Sequence, residues 1–524
     1  MARLFEYQSK KLLKKGGLPI PDGAVVSTPE EASEAAKKLS KSVVLKAQVW
    51  ATGRAEKGGI RFADSPEEAF KAAQKMLGMK ISHLSVEKIL IEEKIDIQSE
   101  YFAGLVIDDA EKSPVMIFST KGGTGVEETA QKHPDQIART YVDVGKGFRE
   151  FEARDLIRQT GVSGKTLTRL SRVLAKFFQV SQSYDSRSAE MNPLVLAQDG
   201  SVYAVDCHFV VDDYAVFRHP DLGIEVAREF DRPPTELEKI AYLVEKNDHR
   251  GTFYFFQMMD EVGERENAIG FNGAGGGGSM MSMDAVLDQG FKLANYCDTS
   301  GNPSAAKVYR AAKIILSQPH IKGYFASGSG VASQEQFHSA RGLVKAFLEE
   351  GIEIPAVLRL GGNYEALAIE ILHKYLKDIP GEVEGYGRDD SPEFCAERMK
   401  KLVTENHFLS HKVRPIKEAE IKDDVYSFKT PTGEIFIRHD QCQTCTTQGC
   451  IKACAQNILK LEQDKPILSI RREEAEKGKC TECLACEIYC RFHEQDAIFI
   501  HLSIPGLKEY RDKIIKKQEK QSQE

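Results

Sequence analysis

Eight of the chain's 11 cysteines fall between Cys442 and Cys490, in the order Cys442-x2-Cys445-x4-Cys450-x3-Cys454 and Cys480-x2-Cys483-x2-Cys486-x3-Cys490. A run this dense cannot be an ordinary core. Its fold must be organised around what the thiols bind or bond. The opening residues, Met1 to Glu6, lack a secretory apolar core, and no apolar run approaches the ~18 residues of a spanning helix. A cytoplasmic chain without membrane insertion is therefore expected, and in a reducing compartment a disulfide framework is disfavoured. Metal binding by thiolates is the remaining reading. The 71 basic residues stand against 78 acidic ones, for a net charge of −7, which argues against charge-driven binding of nucleic acid or a membrane surface.

The second tetrad matches the cysteine run of bacterial ferredoxins, apart from Arg491 where proline is usual; the first carries two extra residues before its third cysteine and has Ala455 in place of proline. In such runs the first three thiolates cap one cubane and the fourth reaches the neighbouring one. By that crossing, Cys442, Cys445, Cys450 and Cys490 would hold one 4Fe–4S cluster, and Cys480, Cys483, Cys486 and Cys454 the other. The alternative is a pair of structural zinc sites, whose ligands usually come as separated pairs. Apolar segments at Ile458-Leu459 and Ile498-Phe499-Ile500 follow the tetrads, where a ferredoxin places strands. Cys207, Cys297 and Cys395 stand apart and read as small buried apolar residues.

At 524 residues the chain exceeds one domain. Strand-like and helix-like segments alternate over the first part, with helix starts at Thr28-Pro29-Glu30-Glu31 and Ser65-Pro66-Glu67-Glu68, each offering a hydroxyl cap, proline at the first helical position and a reciprocal glutamate. Two prolines at Pro233-Pro234 mark a break. From about Asn267 to Leu409, glycine turns, short apolar strands such as Ile354–Leu358 and helices such as Ala305–Leu316 make a doubly wound α/β pattern. Lys412–Asp424 is a polar linker, and the charged residues from Lys508 onward predict a solvated or frayed helix.

Lys46 closes the apolar run from Val43, and Gly53-Arg54-Ala55-Glu56-Lys57-Gly58-Gly59 forms a basic, flexible loop after it. This combination can neutralise phosphates and let backbone amides approach them, although such a loop is a weak signal alone. Glu190-Met191-Asn192-Pro193-Leu194-Val195 and Val205-Asp206 add hard oxygen donors suited to Mg2+ carrying nucleotide phosphates. With Phe5-Glu6-Tyr7-Gln8, Gly17–Pro21, Ile91-Glu92, Asp96-Ile97 and Phe217–Leu222, these segments resemble the β subunit of succinyl-CoA synthetase, an ATP-grasp enzyme, over about residues 1 to 400. The resemblance implies an ATP-grasp domain over 1–235 and a flavodoxin-like CoA-ligase domain over 245–405; the cysteine runs imply a small α+β ferredoxin-like domain over 430–505, with a charged tail over 506–524. The resemblance also implies that Lys46, Gly53 and Arg54 hold the phosphates of ATP or GTP. Glu92 and Glu100 would lie near the base, ribose or metal, with Asn192 and Asp206 on Mg2+. Ala55 replaces the family's glycine in the basic loop.

In the second domain Gly270–Gly275 resembles the family's substrate loop, which makes Asn272 a substrate-binding candidate. The glycines Gly275 to Gly278 make a backbone-lined hollow suited to an anion. Arg359-Leu360-Gly361-Gly362-Asn363 is also similar to the family. Two stretches depart from it: Asp298–Pro303 replaces a triple-glycine loop, and Ser327–Val331 replaces a glycine pair, which puts succinate in doubt as the acid. In this family the phosphorylated histidine and the main CoA pocket belong to a separate α subunit, and none of the 13 histidines here sits in a context to replace it. The resemblance therefore implies an α-like partner and a carboxylic acid substrate, while the cysteine runs imply an oxidoreductase or ferredoxin partner. The expected function is the β-like half of an ADP-forming acid–CoA ligase fused to an electron-transfer module. The alternatives are an electron-transfer subunit using the ligase fold as an ATP-gated or structural scaffold, and other phosphate chemistry on the same fold.

Overall fold

The computed structural model describes residues 1–51, 53–123, 136–230, 232–246, 248, 251–328, 330, 332–406, 409–416, 425–491 and 496–521. Two expectations therefore lie partly outside the described residues: Ser329 and Val331 of the Ser327–Val331 stretch, and residues 417–424 of the linker. Two compact units divide at the double proline, Met1–Pro234 and Thr235–Glu524.

The first unit holds two larger antiparallel sheets and a short hairpin of Lys80–Ile81 and Leu84–Ser85. In the four-stranded one, Val43–Ala47 lies between Ile89–Glu93 and Ile60–Ala63, with Gly23–Val26 outermost. Helices Pro29–Leu39 and Pro66–Met76 cover it, burying Ala32, Ala36, Ala69 and Ala73, small residues that let two helices lie close. Both expected caps form. Thr28 and Ser65 accept hydrogen bonds from the amides of Glu31 and Glu68. Glu31 in turn accepts from Ser27 and Thr28, closing a reciprocal box, whereas Glu68 accepts from Asp64, the residue before its cap. The larger sheet is built on two long strands, Ile97–Asp108 and Ser186–Ala197, paired along their length and packed on helix Gly164–Ser183, which buries Leu167, Leu170, Leu174, Phe177 and Phe178 at helical spacing.

In the second unit the parallel strands Asn295–Asp298, Ala268–Ala274, Tyr324–Gly328, Ala356–Arg359 and Val383–Tyr386 follow one another across the sheet. Numbered by sequence, that order is 2-1-3-4-5, the flavodoxin-like arrangement, whose switch point lies between Ala268–Ala274 and Tyr324–Gly328. Tyr254–Gln257 adds an antiparallel edge. After residue 424 come a three-stranded sheet of Tyr426–Lys429, Glu434–Ile437 and Ile498–His501, a hairpin of Leu459–Glu462 and Lys465–Leu468, and short helices carrying cysteines. Both apolar segments after the tetrads are strands, but they belong to different sheets.

Two sequence expectations need correction. Helix Ala305–Ile315 looks amphipathic in sequence, yet every one of its residues is buried. The cysteine-bearing region covers its polar side: Arg310 donates to Thr432 Oγ1 at 2.9 Å, to the Thr432 carbonyl at 2.7 Å and to the Ser503 carbonyl at 3.1 Å. The C-terminal helix Leu507–Gln521 is likewise not simply a solvated tail. Leu507 and Arg511, one turn apart, are both fully buried. The Arg511 guanidinium meets Glu350 at 2.9 and 3.0 Å, Ser317 Oγ at 2.7 Å and the Lys313 carbonyl at 2.8 Å. Charge alone suggested solvent; a complete set of acceptors makes burial affordable. Among the described residues no helix is long and apolar enough to cross a membrane.

Arg511→Met should destabilise the second unit by roughly 3–5 kcal/mol, since it leaves the Glu350 carboxylate buried with Lys313 as its remaining cation. Burial opposes ionisation of Glu350, but Arg511 and Lys313 hold its pKa below the ordinary range. The contribution is therefore full at neutral pH and fades as the pH falls through that depressed value. Denaturant titration of variant and parent at pH 7 and in acid checks both the loss and its sign.

Candidate functional site

In the first unit a cavity of about 700 Å³ is lined from both sheets by Phe5, Glu6, Trp50, Gly53, Arg54, Glu190, Asn192, Asp206 and His208, among others. The loop after Val43–Ala47 brings Gly53 and Arg54 to it. The strand Ser186–Ala197, interrupted in register after Met191, brings Glu190 and Asn192, and the turn before Cys207–Val211 brings Asp206. Lys46 lies behind this wall at 3% exposure, and so does Glu92 at 1%. Glu100 is exposed on Ile97–Asp108. A Cβ added to the cavity-lining Gly123 would lie 3.4 Å from its carboxylate.

The charges behind the cavity form one buried cluster. Lys46 Nζ sits 2.9 Å from Glu6 Oε1 and 3.0 Å from Glu92 Oε2, and Lys10 Nζ lies 3.1 Å from Glu6 and 2.5 Å from Glu92. Both lysines also donate to the Val205 carbonyl. Arg54 bridges Glu6 at 2.9 Å and Asp206 at 2.8 Å. Burial pushes the Lys46 pKa down, but Glu6, Glu92 and Asp206 outweigh it and keep the ammonium charged. Burial raises Glu190, and Asp206 adds to that while His208 opposes it. Asp206 Oδ1 is buried and accepts no hydrogen bond, with His208 Nε2 3.5 Å away. Asn192 Oδ1 accepts from the Gly123 amide at 2.6 Å. Two oxygen donors, Arg54 and a glycine loop thus share one cavity, with the Lys46 ammonium behind its wall, a set that fits a magnesium–polyphosphate.

Sequence reasoning assigned no role to Glu6 or Lys10, although they anchor this cluster. The available signal was their i,i+4 spacing on helix Glu6–Lys15, which looks the same as any solvent-facing pair.

In the second unit Gly275 begins helix Gly276–Asp288 with φ 91°, at the carboxyl end of the first parallel strand. The Asp298 carboxylate accepts from the amides of Gly275 and Ser300 at 2.9 and 2.8 Å, tying the glycine loop to the replaced triple-glycine segment. Ser282 and Ser327 hydroxyls lie 2.7 Å apart across the switch point, and Arg359 donates to the Gly328 carbonyl at 2.9 Å. Asn272 is buried in the strand, and its amide donates to the Tyr324 hydroxyl at 2.9 Å. Gly276 and Gly277 are exposed at the carboxyl end of the strands, where doubly wound folds take ligands, whereas Ser282, Ser327 and Asn272 are buried beneath it.

The structure brings Cys490 to Cys442, Cys445 and Cys450, and Cys454 to Cys480, Cys483 and Cys486. Burial pushes Cys442 up to about 11 and Cys450 up to about 12, and Cys490 and Cys445 add to both. Burial lifts Cys480 to about 12 and Cys486 well above the usual thiol range, with Cys483 and Cys454 adding to both. Cys454, Cys480, Cys483 and Cys486 also line one small cavity with Phe428, Ile435, Leu459 and Ile500. Among the described residues no three His, Cys, Asp or Glu side chains are grouped so as to hold a metal ion. Cys207, Cys297 and Cys395 are buried, as expected of small core residues.

The first unit is an ATP-grasp domain: the model of that domain family matches residues 3–196, and the model described as the citrate-binding region of ATP citrate lyase matches residues 260–350. The chain belongs to the family of succinate–CoA ligase β subunits. It is 39% identical over 370 residues to the GDP-forming β subunit of Thermus thermophilus, a match covering 70% of this chain and 93% of that protein. The ADP-forming β subunit of Ignicoccus hospitalis is 34% identical over 372 residues, covering 70% and 93%. Among solved structures, an ATP citrate lyase of Methanothrix soehngenii has the same fold over 77% of this chain and 99% of its own, with a TM-score of 0.61 at 18% identity.

Glu6→Ala should destabilise the first unit by roughly 3–5 kcal/mol, because Lys10, Lys46 and Arg54 would then share only Glu92 and Asp206 as partners. Glu6→Gln should recover part of the loss by keeping the side chain's shape and one acceptor oxygen. Denaturant unfolding of both variants against the parent is the check.

Proposed function

We propose that the chain is the β-like half of a nucleoside-diphosphate-forming acid–CoA ligase and carries two 4Fe–4S clusters that link acid activation to electron transfer. The observation that carries the ligase reading is the cavity lined by Arg54, Asn192 and Asp206 with Lys46 buried directly behind it, in a chain of the succinate–CoA ligase β family. Lys46 and Arg54 neutralise the phosphates of ATP or GTP, and Asn192 and Asp206 hold the Mg2+ that accompanies them, with the buried, unpaired Asp206 Oδ1 as a ready ligand. Glu100, near Gly123, lies toward the nucleotide, while Glu92 acts from behind by holding Lys46 charged and in place.

In this reading the terminal phosphoryl group passes to a histidine on an α-like partner that also holds most of the CoA. The phosphoryl then moves to a carboxylate oxygen of the acid, forming an acyl phosphate. The CoA thiol attacks the acyl carbon and releases inorganic phosphate. The match of residues 260–350 to a citrate-binding model favours a di- or tricarboxylic acid, received at the glycine loop.

The iron–sulfur reading is supported by the grouping of the eight thiols into two sets of four, each with one member contributed by the other tetrad. A cubane is a larger body than one ion, so its four thiolates surround a volume rather than a point. When bound, such clusters supply one-electron transfer, and a thioester is easier to reduce than a free carboxylate. The chain's own part is to hold the clusters: strands Leu459–Glu462 and Ile498–His501 shield the thiols, and Glu482, accepting from Thr430 and from both the amide and the hydroxyl of Thr432, fixes the turn between Cys480 and Cys483. A domain division near residues 235, 405 and 430 accompanies this assignment. The second reading is an electron-transfer subunit on a ligase scaffold. It is favoured by the mutual engagement of Arg54 and Asp206, which occupies a phosphate-binding cation with a metal ligand.

With the α-like partner present, Lys46→Ala and Asp206→Ala should each reduce Mg-ATP-dependent phosphorylation of that partner by at least a hundredfold, measured by label transfer. Unchanged transfer in both variants supports the scaffold reading.

Anaerobically purified protein should contain about eight iron and eight sulfide per chain. Cys454→Ser should alter the cluster bound by Cys480, Cys483 and Cys486 and spare the other, as read by electron paramagnetic resonance of the reduced protein. Stoichiometric zinc without iron, or damage confined to the cluster of Cys442, Cys445 and Cys450, contradicts the assignment.

A further inference from the structure

Beside the switch-point crevice, but separate from it, lies a second cavity of about 750 Å³ within the second unit. One side is formed by Ser300 and Asn302 of the replaced triple-glycine loop, the next by Phe337 and Arg341 of helix Phe337–Glu350, and the last by Gln456 and Cys483 of the cysteine region. Its size suits a small organic molecule rather than a single water or ion.

Arg341 distinguishes this cavity from a packing defect. Its Nε is buried and has no hydrogen-bond partner. Among the described residues the guanidinium makes no ion pair, and it lies over the face of Phe337, 4.6 Å from the ring centroid. Other arginines buried in this unit are fully engaged: Arg310, Arg359 and Arg511 each satisfy several donors. The Arg341 side chain is half-buried, with Nε out of water and unmatched, so an oxyanion in the cavity would complete it, and its planar fork suits a carboxylate or phosphate. Glu335, also in the lining, disfavours a bare, highly charged anion and favours one with a polar body that can meet Asn302, Gln456 and Thr481.

The same helix ties this position to the cysteines. One turn after Arg341, Lys345 is buried and pairs with Glu487 at 2.7 Å, and Glu487 follows Cys486 directly. On the other side, the Asp298 carboxylate joins Ser300 at the cavity's rim to Gly275 of the glycine loop. We infer that this cavity is an oxyanion-binding site in which Arg341 holds the carboxylate or phosphate of a small organic anion next to the cluster of Cys454, Cys480, Cys483 and Cys486. The placement beside a cluster rests on the iron–sulfur reading above; the anion site itself does not.

The test uses the full-length chain, purified anaerobically with its metal. Citrate, succinate and inorganic phosphate are each titrated by calorimetry into the parent, Arg341→Gln and Arg341→Lys. At least one probe should bind the parent, with affinity falling roughly tenfold or more in Arg341→Gln and less in Arg341→Lys, which keeps the charge but loses the fork. Binding of carboxylates alone identifies the acid as occupant, and binding of phosphate alone a phosphorylated ligand. In the reduced protein the bound probe should shift the resonance of one cluster, the one that Cys454→Ser alters. Equal affinity in parent and both variants, or no binding of any probe, overturns the site. If iron is absent but Arg341 still governs binding, the cluster reading fails and the anion site stands. If both clusters are present and neither responds to a bound probe, the site's placement at the second cluster is wrong.

Discussion

A lysine and a glutamate, Lys345 and Glu487, meet 2.7 Å apart with about 2% of each side chain exposed. Taking two charges so far out of water is unfavourable unless the pairing and the remaining hydrogen bonds are nearly complete. On the lysine side the support is extensive: Lys345 also reaches Glu349 at 2.8 Å and stands over the rings of Tyr309 and Phe499, and the Tyr309 hydroxyl donates to Glu349 at 2.6 Å. Burial opposes ionisation of Glu349, yet Lys345 and Lys313 hold its pKa down at about 2. The cost of removing one partner, rather than the strength of the pair, is what makes the arrangement specific. The cysteine region can cover helices Ala305–Ile315 and Phe337–Glu350 only in the register that matches every charge.

A similar cluster governs the first unit. Two carboxylates, Glu6 and Glu92, sit among Lys10, Lys46 and Arg54 beneath the cavity floor. It fixes Lys46 and Arg54 before any ligand arrives, so the reorganisation that a flexible surface lysine would undergo is largely removed. In both units buried charge does the positioning, and apolar packing supplies the walls.

The thiols obey a different constraint. Burial raises Cys442, Cys450, Cys480 and Cys486, so the free thiols are protonated at neutral pH, and binding a metal must release those protons. By contrast, for Cys445 the upward push of burial is outweighed by hydrogen bonds from Thr447 and nearby amides, and its pKa falls. One thiol in the first set is therefore easier to ionise than Cys442 and Cys450.

Much was legible in the residues themselves. The cysteine spacing, the doubly wound pattern, the break at Pro233-Pro234, the Thr28 and Ser65 caps and the family resemblance all rest on local order or short motifs, and local order is what a linear sequence displays. Contacts between distant segments decided the rest. Glu6 and Lys10 resemble a surface i,i+4 pair until the Val43–Ala47 and Ile89–Glu93 strands bring Lys46 and Glu92 over them. Arg511 sits in a charged segment that reads as solvated, and only the distant Lys313, Ser317 and Glu350 supply the acceptors that bury it. Arg341 looks like any helix arginine, and its lack of a partner appears only once Ser300, Phe337 and Cys483 enclose it. Charge in a sequence states what must be neutralised or hydrated; which of the two happens depends on groups tens or hundreds of residues away, and that only the tertiary structure decides.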